Sequence, residues 1–206
     1  MIQNKKKIVK KDKKIKIWVK INSYFFDYIL SILYYIIKGI FIMNYKIRKI
    51  RKDDYKKVAQ VVTMSWNETY KDIVPKWFLD ELKKNEEERA NQMLVDFENN
   101  NYLVLEVNKE VVGFVWYGIA TDEDYKNHGE IKALYIIKKY QGNGYGKELF
   151  KEAVKELKKM KFDKMIISCL KKNPANEFYK HMGGIYLKDG EFKKLKLPEN
   201  IYYFNI

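Results

Sequence analysis

The chain has 206 residues, 41 Lys+Arg against 27 Asp+Glu, and a formal net charge of +14. That length holds one well-cored domain plus an appendage rather than two full domains, and 47% hydrophobic residues with only 10 Gly and 3 Pro exclude a disordered or collagen-like chain. One Cys excludes a disulfide framework and a Cys-rich zinc site, and two His (His128, His181) leave little for a His-based one, so no metal is expected.

The positive charge is uneven. Residues 1–42 hold ten Lys, no Arg and only Asp12 and Asp27, a net of +8; the other 164 residues carry +6. Nine of those Lys fall between Lys5 and Lys20, and residues 24–42 are then mostly apolar. Several readings of this leader stand side by side. A spanning helix needs roughly 20 apolar residues; the run has that length but contains Asp27 and Lys38, which would have to snorkel from its ends. A secretory signal fits poorly, because the apolar part is long and Gly39-Ile40-Phe41-Ile42 makes a poor cleavage site. A helix packed on the domain is a further reading. In the last reading translation starts at Met43. The leader's Lys, Ile, Asn, Tyr and Phe are what AT-rich non-coding sequence yields, and Lys38-Gly39 can be encoded as a purine run just upstream of Met43. The expected organisation is therefore a leader, 1–42, and a domain, 43–206. The expected location is cytoplasmic, with membrane contact only through a genuine leader. No element resembles a nucleic-acid recognition helix, so a polybasic leader would bind nucleic acid without specificity.

Residues 45–50 read as a strand. Asp53 suits an N-cap for a helix to about Trp66, with Val58, Val62 and Trp66 on one stripe. Pro75 suits the first turn of a short helix over 77–82. A third helix, 86–97, presents Ala90, Met93, Leu94 and Phe97. Residues 101–107 and 111–119 are β-rich runs joined by Asn108-Lys109-Glu110 as a hairpin, and 130–136 is another strand. Residues 145–160 form an amphipathic helix with Leu149, Phe150, Ala153, Val154 and Leu157 on one face. A strand over 164–170 follows, then a short helix over 176–182 stopped by Gly183-Gly184. Strands over 186–197 and 201–206 complete the chain. The order implies an α/β (α+β) domain with a mixed sheet flanked by helices. The hairpins exclude a purely parallel sheet, and the strand–helix–strand unit over 130–170 should cross over right-handedly.

The chemistry concentrates where the strand at 130–136 runs through a glycine-rich turn into the helix at 145. Gly142, Gly144 and Gly146 permit backbone conformations closed to other residues, and the free N–H groups of the helix start, aided by the dipole, point at an anion. A turn that merely links strand to helix would look the same. No Gly-Lys-Ser/Thr follows and no Gly-x-Gly-x-x-Gly is present, which excludes a nucleoside-triphosphatase loop and a dinucleotide fingerprint.

Gln141-x-x-Gly144-x-Gly146 resembles the acetyl-CoA motif of the GNAT N-acetyltransferase superfamily, Gln/Arg-x-x-Gly-x-Gly/Ala. Asn173-Pro-Ala175-Asn176-Glu-Phe178-Tyr179-Lys-His-Met-Gly183 resembles a second pattern of that family, Asn-x-x-Ala-x-x-Phe-Tyr-x-x-x-Gly. The resemblance spans residues 44–206 and implies a mostly antiparallel sheet that splays open beside the strand Leu134-Tyr135-Ile136. It implies an N-acetyltransferase that moves an acetyl group from acetyl-CoA, its co-substrate, to a primary amine by direct attack through a tetrahedral intermediate. The alternatives are a non-catalytic acyl-CoA-binding sensor and leader-mediated membrane or nucleic-acid binding.

Residue by residue, the resemblance implies the following. The amides of Gly142, Asn143, Gly144, Tyr145, Gly146 and Lys147 bind the pyrophosphate. Leu134, Tyr135 and Ile136 pair with the pantetheine arm, and the Ile136 N–H reaches the thioester carbonyl. Gln141, Asn173 and Asn176 join the cofactor set. Tyr179 is the acid that protonates the departing thiolate, or else an aromatic packed on Phe178. Glu130 is the candidate base, or else a solvated strand-end carboxylate. His128 reads as a surface loop histidine and Cys169 as a buried, inert thiol. The acceptor, a small-molecule or peptide amine, falls to Trp66, Tyr70, Trp77, Tyr117 and residues near Gly190. Glu68, Asp72 and Asp122 to Asp124 are carboxylates that would attract a cationic amine such as a polyamine, aminoglycoside or lysine, or are plain solvated loop charges. Gly183-Gly184 stands where the family more often has Gly-Phe. Homodimerisation is left open.

Overall fold

The strand runs at the middle of the sequence are apolar at consecutive rather than alternate positions, which predicts a sheet covered on both faces. The computed structural model describes residues 28–30, 32–34, 45–95 and 101–206. The leader readings for residues 1–27 and 35–42, and the expected helix residue Phe97, lie outside these. Residues 28–30 and 32–34 are helical. Among the described residues no helix is long and apolar enough to cross a membrane. The unit that follows is Tyr45–Ile206.

Its strands are β1 (Tyr45–Lys49), β2 (Asn101–Val107), β3 (Glu110–Ile119), β4 (Gly129–Ile136), β5 (Lys164–Leu170), β6 (Ile185–Phe192) and β7 (Leu197–Asn205). Its helices are α1 (Tyr55–Thr69), α2 (Lys76–Lys84), α3 (Glu86–Val95), α4 (Tyr145–Lys159) and α5 (Ala175–His181). The strands form one sheet in the order β1-β2-β3-β4-β5-β7-β6. Every neighbouring pair is antiparallel except β4 with β5, which α4 connects. The expected mixed, mostly antiparallel sheet flanked by helices is therefore present.

The core forms where the helices meet the sheet. Leu149, Phe150, Ala153 and Leu157 of α4 are buried against the sheet's Met165, Ile167 and Phe204. Val58 and Val61 of α1 join the same core, whereas Trp66 and Tyr70 form a second cluster with Val74, Phe78, Leu79 and Leu170. Each fully buried aliphatic side chain contributes about 1.5–3 kcal/mol of transfer free energy.

Several boundaries differ from expectation for local reasons. Asp53 does not cap α1. A 3-10 turn, Lys52–Asp54, leads into it, and the Asp54 carboxylate accepts from the Arg51 N–H at 2.7 Å instead. Pro75 sits just before α2 rather than within its first turn. Asn108 and Lys109, with φ of 50° and 69°, make a two-residue turn, so Glu110 already belongs to β3. Leu94 of α3 is exposed, and only Ala90 of that helix is buried. The run expected as one strand over 186–197 is broken after Phe192. Four residues turn there, with Lys196 at φ 51°, and Leu197 opens β7.

Candidate active site

β4 and β5 leave each other almost at once. They pair only at Gly129 with Met165 and Glu130 with Ile166, while β4 stays on β3 as far as Ile136. The N–H of Ile137 donates to Val112 across that seam at 3.0 Å. Backbone direction alternates along an antiparallel pair, so the polar groups of Ile136 and Leu134 face the open gap. The carbonyl of Ile136 is taken by the Gln141 side-chain amide at 2.8 Å. The N–H of Ile136 and both groups of Leu134 are left pointing into the gap.

The glycine turn closes one end of this gap. Gly142 (φ 77°) and Gly144 (φ 81°) are left-handed, and nothing lies within 4 Å of where a Cβ would stand on either. Gly144 is the N-cap of α4, and the first helical bond returns from Glu148 to its carbonyl. The amides of Tyr145, Gly146 and Lys147 precede that bond and have no intrahelical acceptor. They sit at the positive end of a 15-residue helix. Gly146 is helical and needs no special φ; its open side lies 3.7 Å from Phe178 and 3.8 Å from Ile136. An anion can approach this backbone without meeting a side chain.

Gap and turn together form a cleft of about 940 Å³, within the range of ligand pockets. Its far end is aromatic. A β-bulge puts Trp116 opposite Ala133 but Tyr117 opposite Ile131, which leaves Lys132 as the extra residue of β4. The extra residue resets the alternation, so Tyr135 meets Trp66, whose Nε1 donates to its hydroxyl at 3.0 Å. Trp66 packs on Tyr70 (4.4 Å between ring centres) and on Phe192 (5.8 Å). Burial pushes the Tyr135 hydroxyl up to about 12 against the Trp66 bond, and pushes those of Tyr70 and Tyr179 well above the usual phenol range. These phenols are neutral at any physiological pH. Burial also raises the Cys169 thiol to about 12, which suits the inert wall residue expected.

The cleft gathers many of the expected residues: Leu134, Tyr135, Ile136, Gln141, Gly142, Gly144, Gly146, Lys147, Asn173 and Tyr179, with Trp66 and Tyr70. Asn173 lines it while donating to Tyr70. The hydroxyl of Tyr179 makes no hydrogen bond among the described residues, and its ring packs on Phe178 and Tyr202.

Other expected residues stand elsewhere. Glu130 belongs to the part of β4 still paired with β5. One of its carboxylate oxygens accepts from both the N–H and the hydroxyl of Thr121, at 2.9 and 3.0 Å, and it does not line the cleft. Tyr117 is buried on another side of β3, its hydroxyl 3.4 Å from Glu156 of α4. Trp77 is 56% exposed and packs edge-on against Phe78. The Tyr145 ring packs on Tyr45, leaving only the backbone of Tyr145 at the helix end. Asn143 folds back onto the carbonyls of Tyr140 and Gln141. Asn176 is fully engaged. Its amide donates to Leu170, Lys171 and Asn173, and its oxygen accepts from Asn200 and Tyr202, so nothing is left for a cofactor. Glu68 accepts from the N–H of Lys138, and Asp122 and Asp124 pair with Lys188. His128 lies between the rings of Tyr125 and Tyr203, outside the cleft.

Among the lining residues that carry no motif are Ser65, Phe192 and Glu199. The Oγ of Ser65 is buried without a hydrogen-bond partner among the described residues. Glu199, opposite Leu170 on β7, is half-buried and makes no hydrogen bond or ion pair among the described residues. Its signal in the sequence was a single carboxylate beside Pro198, which only the strand register turns toward the gap.

A model of the acetyltransferase (GNAT) family matches residues 65–183, which include the strand, the glycine turn and α5. The uncharacterized N-acetyltransferase YuaI of Bacillus subtilis (strain 168) is 27% identical over 135 residues, covering 65% of this chain and 76% of that protein. Among solved structures, the PaiA N-acetyltransferase of Thermoplasma acidophilum in complex with coenzyme A superposes with a TM-score of 0.64 at 20% identity, over 79% of this chain and 99% of that one. YncA of Salmonella typhimurium, a putative acetyltransferase solved with acetyl-CoA, gives 0.57 at 16% identity, over 79% and 94%.

Proposed function

The chain belongs to the acetyltransferase (GNAT) family, and from that premise we propose that it transfers an acetyl group from acetyl-CoA to a primary amine. The observation that carries this is the opening of β4 from β5 directly into the glycine turn at the N-terminus of α4. A long, bent ligand with a pyrophosphate at one end and an extended amide-bearing arm fits those two features. The free amides of Tyr145, Gly146 and Lys147, with the open backbone at Gly142 and Gly144, would hold the pyrophosphate. The groups of Leu134 and Ile136 that face the gap would pair with the arm as a missing strand does. Structures of two similar proteins contain coenzyme A or acetyl-CoA, in line with this fit.

Bound in this way, acetyl-CoA supplies an activated acyl carbon, and the protein has little else to do than position and polarise it. The Ile136 N–H is the donor for the thioester oxygen. A fixed donor at that point stabilises the charge that develops when the amine adds to the carbonyl carbon. Collapse of the tetrahedral intermediate expels a thiolate that needs a proton. Tyr179, neutral, in the cleft wall and without a side-chain hydrogen bond among the described residues, would give it. Direct attack needs no covalent enzyme intermediate.

The test is thiol release from acetyl-CoA across a panel of primary amines, with the corresponding alcohols as controls. Turnover with an amine and none with its alcohol is expected. Tight CoA binding with no turnover on any amine would overturn the reading in favour of an acyl-CoA sensor. Tyr179→Phe should leave CoA affinity unchanged while lowering kcat about 100-fold.

A further inference from the structure

We propose that Glu199 is the base for the acceptor and that the acceptor is an alkylammonium, its charged head at Glu199 and its apolar stem against Trp66, Tyr70 and Phe192. This rests on the acetyl-transfer reading above and names the substrate class and the proton acceptor within it.

Glu199 is held by two seams at once, opposite Leu170 on β5 and Gly190 on β6, so its carboxylate is fixed at the cleft wall rather than carried on a loop. Its carboxylate makes no hydrogen bond or ion pair with a cation, amide or hydroxyl among the described residues, although this protein is rich in Lys. A half-buried carboxylate without a partner is unfavourable in the free protein. A cation arriving with the substrate relieves that cost. The rings that line the same cleft strengthen the argument, since aromatic faces attract a desolvated ammonium and cover an alkyl chain. An anionic or neutral polar acceptor would gain nothing from this combination.

The groups facing Glu199 are Glu130 and Tyr135 from β4 and Cys169 from β5. The phenol and the thiol are neutral, so among the described residues the charge acting on it is that of Glu130. Burial first, and repulsion from Glu130 second, hold the Glu199 carboxyl above the ordinary carboxylate range. Glu130 is thus a positioning residue, fixed by Thr121, that makes its neighbour a better base.

The proton count closes. The substrate ammonium gives one proton to the Glu199 carboxylate and becomes a neutral amine. Its nitrogen lone pair forms the C–N bond to the acyl carbon, the C–S bond breaks, and sulfur keeps that electron pair. The thiolate takes a proton from Tyr179, which regains one from the nitrogen. Glu199 then releases its proton to water, and the products are the amide, free CoA and one proton.

The experiment compares the full chain with Glu199→Gln and Glu199→Asp. The first readout is binding of n-hexylamine and hexan-1-ol to the CoA-loaded protein by calorimetry. Wild type should prefer the ammonium by at least about tenfold and Glu199→Gln should not; equal binding of the two probes by wild type overturns the proposal whether or not any amine turns over. The second readout is kcat/KM for whichever panel amine is acetylated. Glu199→Gln should lose about 100-fold or more, with CoA affinity unchanged and the acidic limb of the pH profile gone, while Glu199→Asp should keep part of the rate. Glu199→Gln within about threefold of wild type, or a parallel loss of CoA binding, also overturns it. Melting of Glu199→Gln should be at or above wild type, because no hydrogen bond is lost. Absence of turnover by wild type would count against acetyl transfer alone, since the binding arm decides on Glu199 independently.

Discussion

The side-chain amide of Asn173 donates a 2.6 Å hydrogen bond to the hydroxyl of Tyr70, across 103 residues of sequence. The same side chain accepts from the N–H of Ala175 at 2.9 Å. One asparagine therefore sets the turn into α5, which carries Tyr179, and anchors Tyr70 on the wall meant for the acceptor. Asn173→Ala removes both bonds and leaves the buried Tyr70 hydroxyl with Tyr135 as its remaining partner, a loss of about 1–3 kcal/mol. The midpoint of thermal unfolding should fall by about 3–10 °C. Asn173→Asp keeps the acceptor for the Ala175 N–H, offers one to a reoriented Tyr70 hydroxyl, and should recover part of the difference; a melting curve of Asn173→Ala that overlays wild type would refute the anchoring role.

The glycine turn separates two reasons for glycine. Gly144 stands at φ 81° with open space around it, so Gly144→Ala meets backbone strain of about 1–2 kcal/mol. Gly146 is helical, and an added Cβ makes ordinary contact with Phe178 and Ile136. Gly146→Ala should therefore be neutral or stabilising by up to about 1 kcal/mol in the free protein. The Gly144 methyl would stand over the open backbone where the pyrophosphate is expected, so Gly144→Ala should bind CoA more weakly, whereas the Gly146 methyl points at Phe178 and Ile136, at a position where the resembled pattern admits Ala, so Gly146→Ala should keep its affinity. Calorimetry beside denaturant titration should show Gly144→Ala losing both stability and affinity and Gly146→Ala losing neither; weaker CoA binding by Gly146→Ala at unchanged stability would put its open side against the pyrophosphate instead.

The sequence read differently at different levels. Elements with strong periodicity, such as α4, and strands with clear apolar runs, such as β5, were legible, as was the glycine turn, because each is local chemistry. The contents of the acceptor end were not. Tyr117 and Trp77 are as aromatic as Trp66, and nothing local tells which of the three faces the cleft. That depends on the bulge at Lys132, which resets β4, and on the register that puts Glu199 opposite Leu170. Asn176 misled for a related reason: its place beside Asn173 in a motif does not reveal that buried carbonyls of Leu170 and Lys171 already claim its amide.

Gly184 replaces the more usual Phe of the family pattern, and Phe204 of β7 explains it. A Cβ on Gly184 would stand 2.7 Å from the Phe204 ring and 2.8 Å from the carbonyl of Tyr179. That carbonyl also accepts the N–H of Gly184 at 2.9 Å, tying the end of α5 to the turn. Gly184→Ala should cost about 1–3 kcal/mol through overpacking and shift Tyr179, lowering kcat. Phe204→Leu in the same chain should relieve the ring's share of the clash but not the carbonyl's, so the double variant should be somewhat more stable than the sum of the single changes predicts. Strict additivity in urea unfolding would mean the ring is not the obstacle.

The last prediction concerns acid stability and a charged cluster at the start of α1. Arg48 holds Asp54 with two bonds, 2.6 and 3.0 Å, and donates to Glu106 at 2.9 Å. Burial of Asp54 works to raise its carboxyl, but the Arg48 bond and the Arg51 N–H outweigh it and hold the group below the usual carboxylate range. A carboxyl lowered by folding contributes stability that is complete above its unfolded value, about 3.9, and is lost as pH falls through the lower folded one. Asp54→Asn removes that contribution at neutral pH. Because Glu106 still balances Arg48, the loss should be about 1–3 kcal/mol rather than the larger figure for a stranded buried charge. Urea midpoints measured from pH 7 to pH 3 should show wild type losing stability more steeply than Asp54→Asn below about pH 4, so that the two curves converge. Parallel curves over that interval would mean that Asp54 does not titrate with the fold.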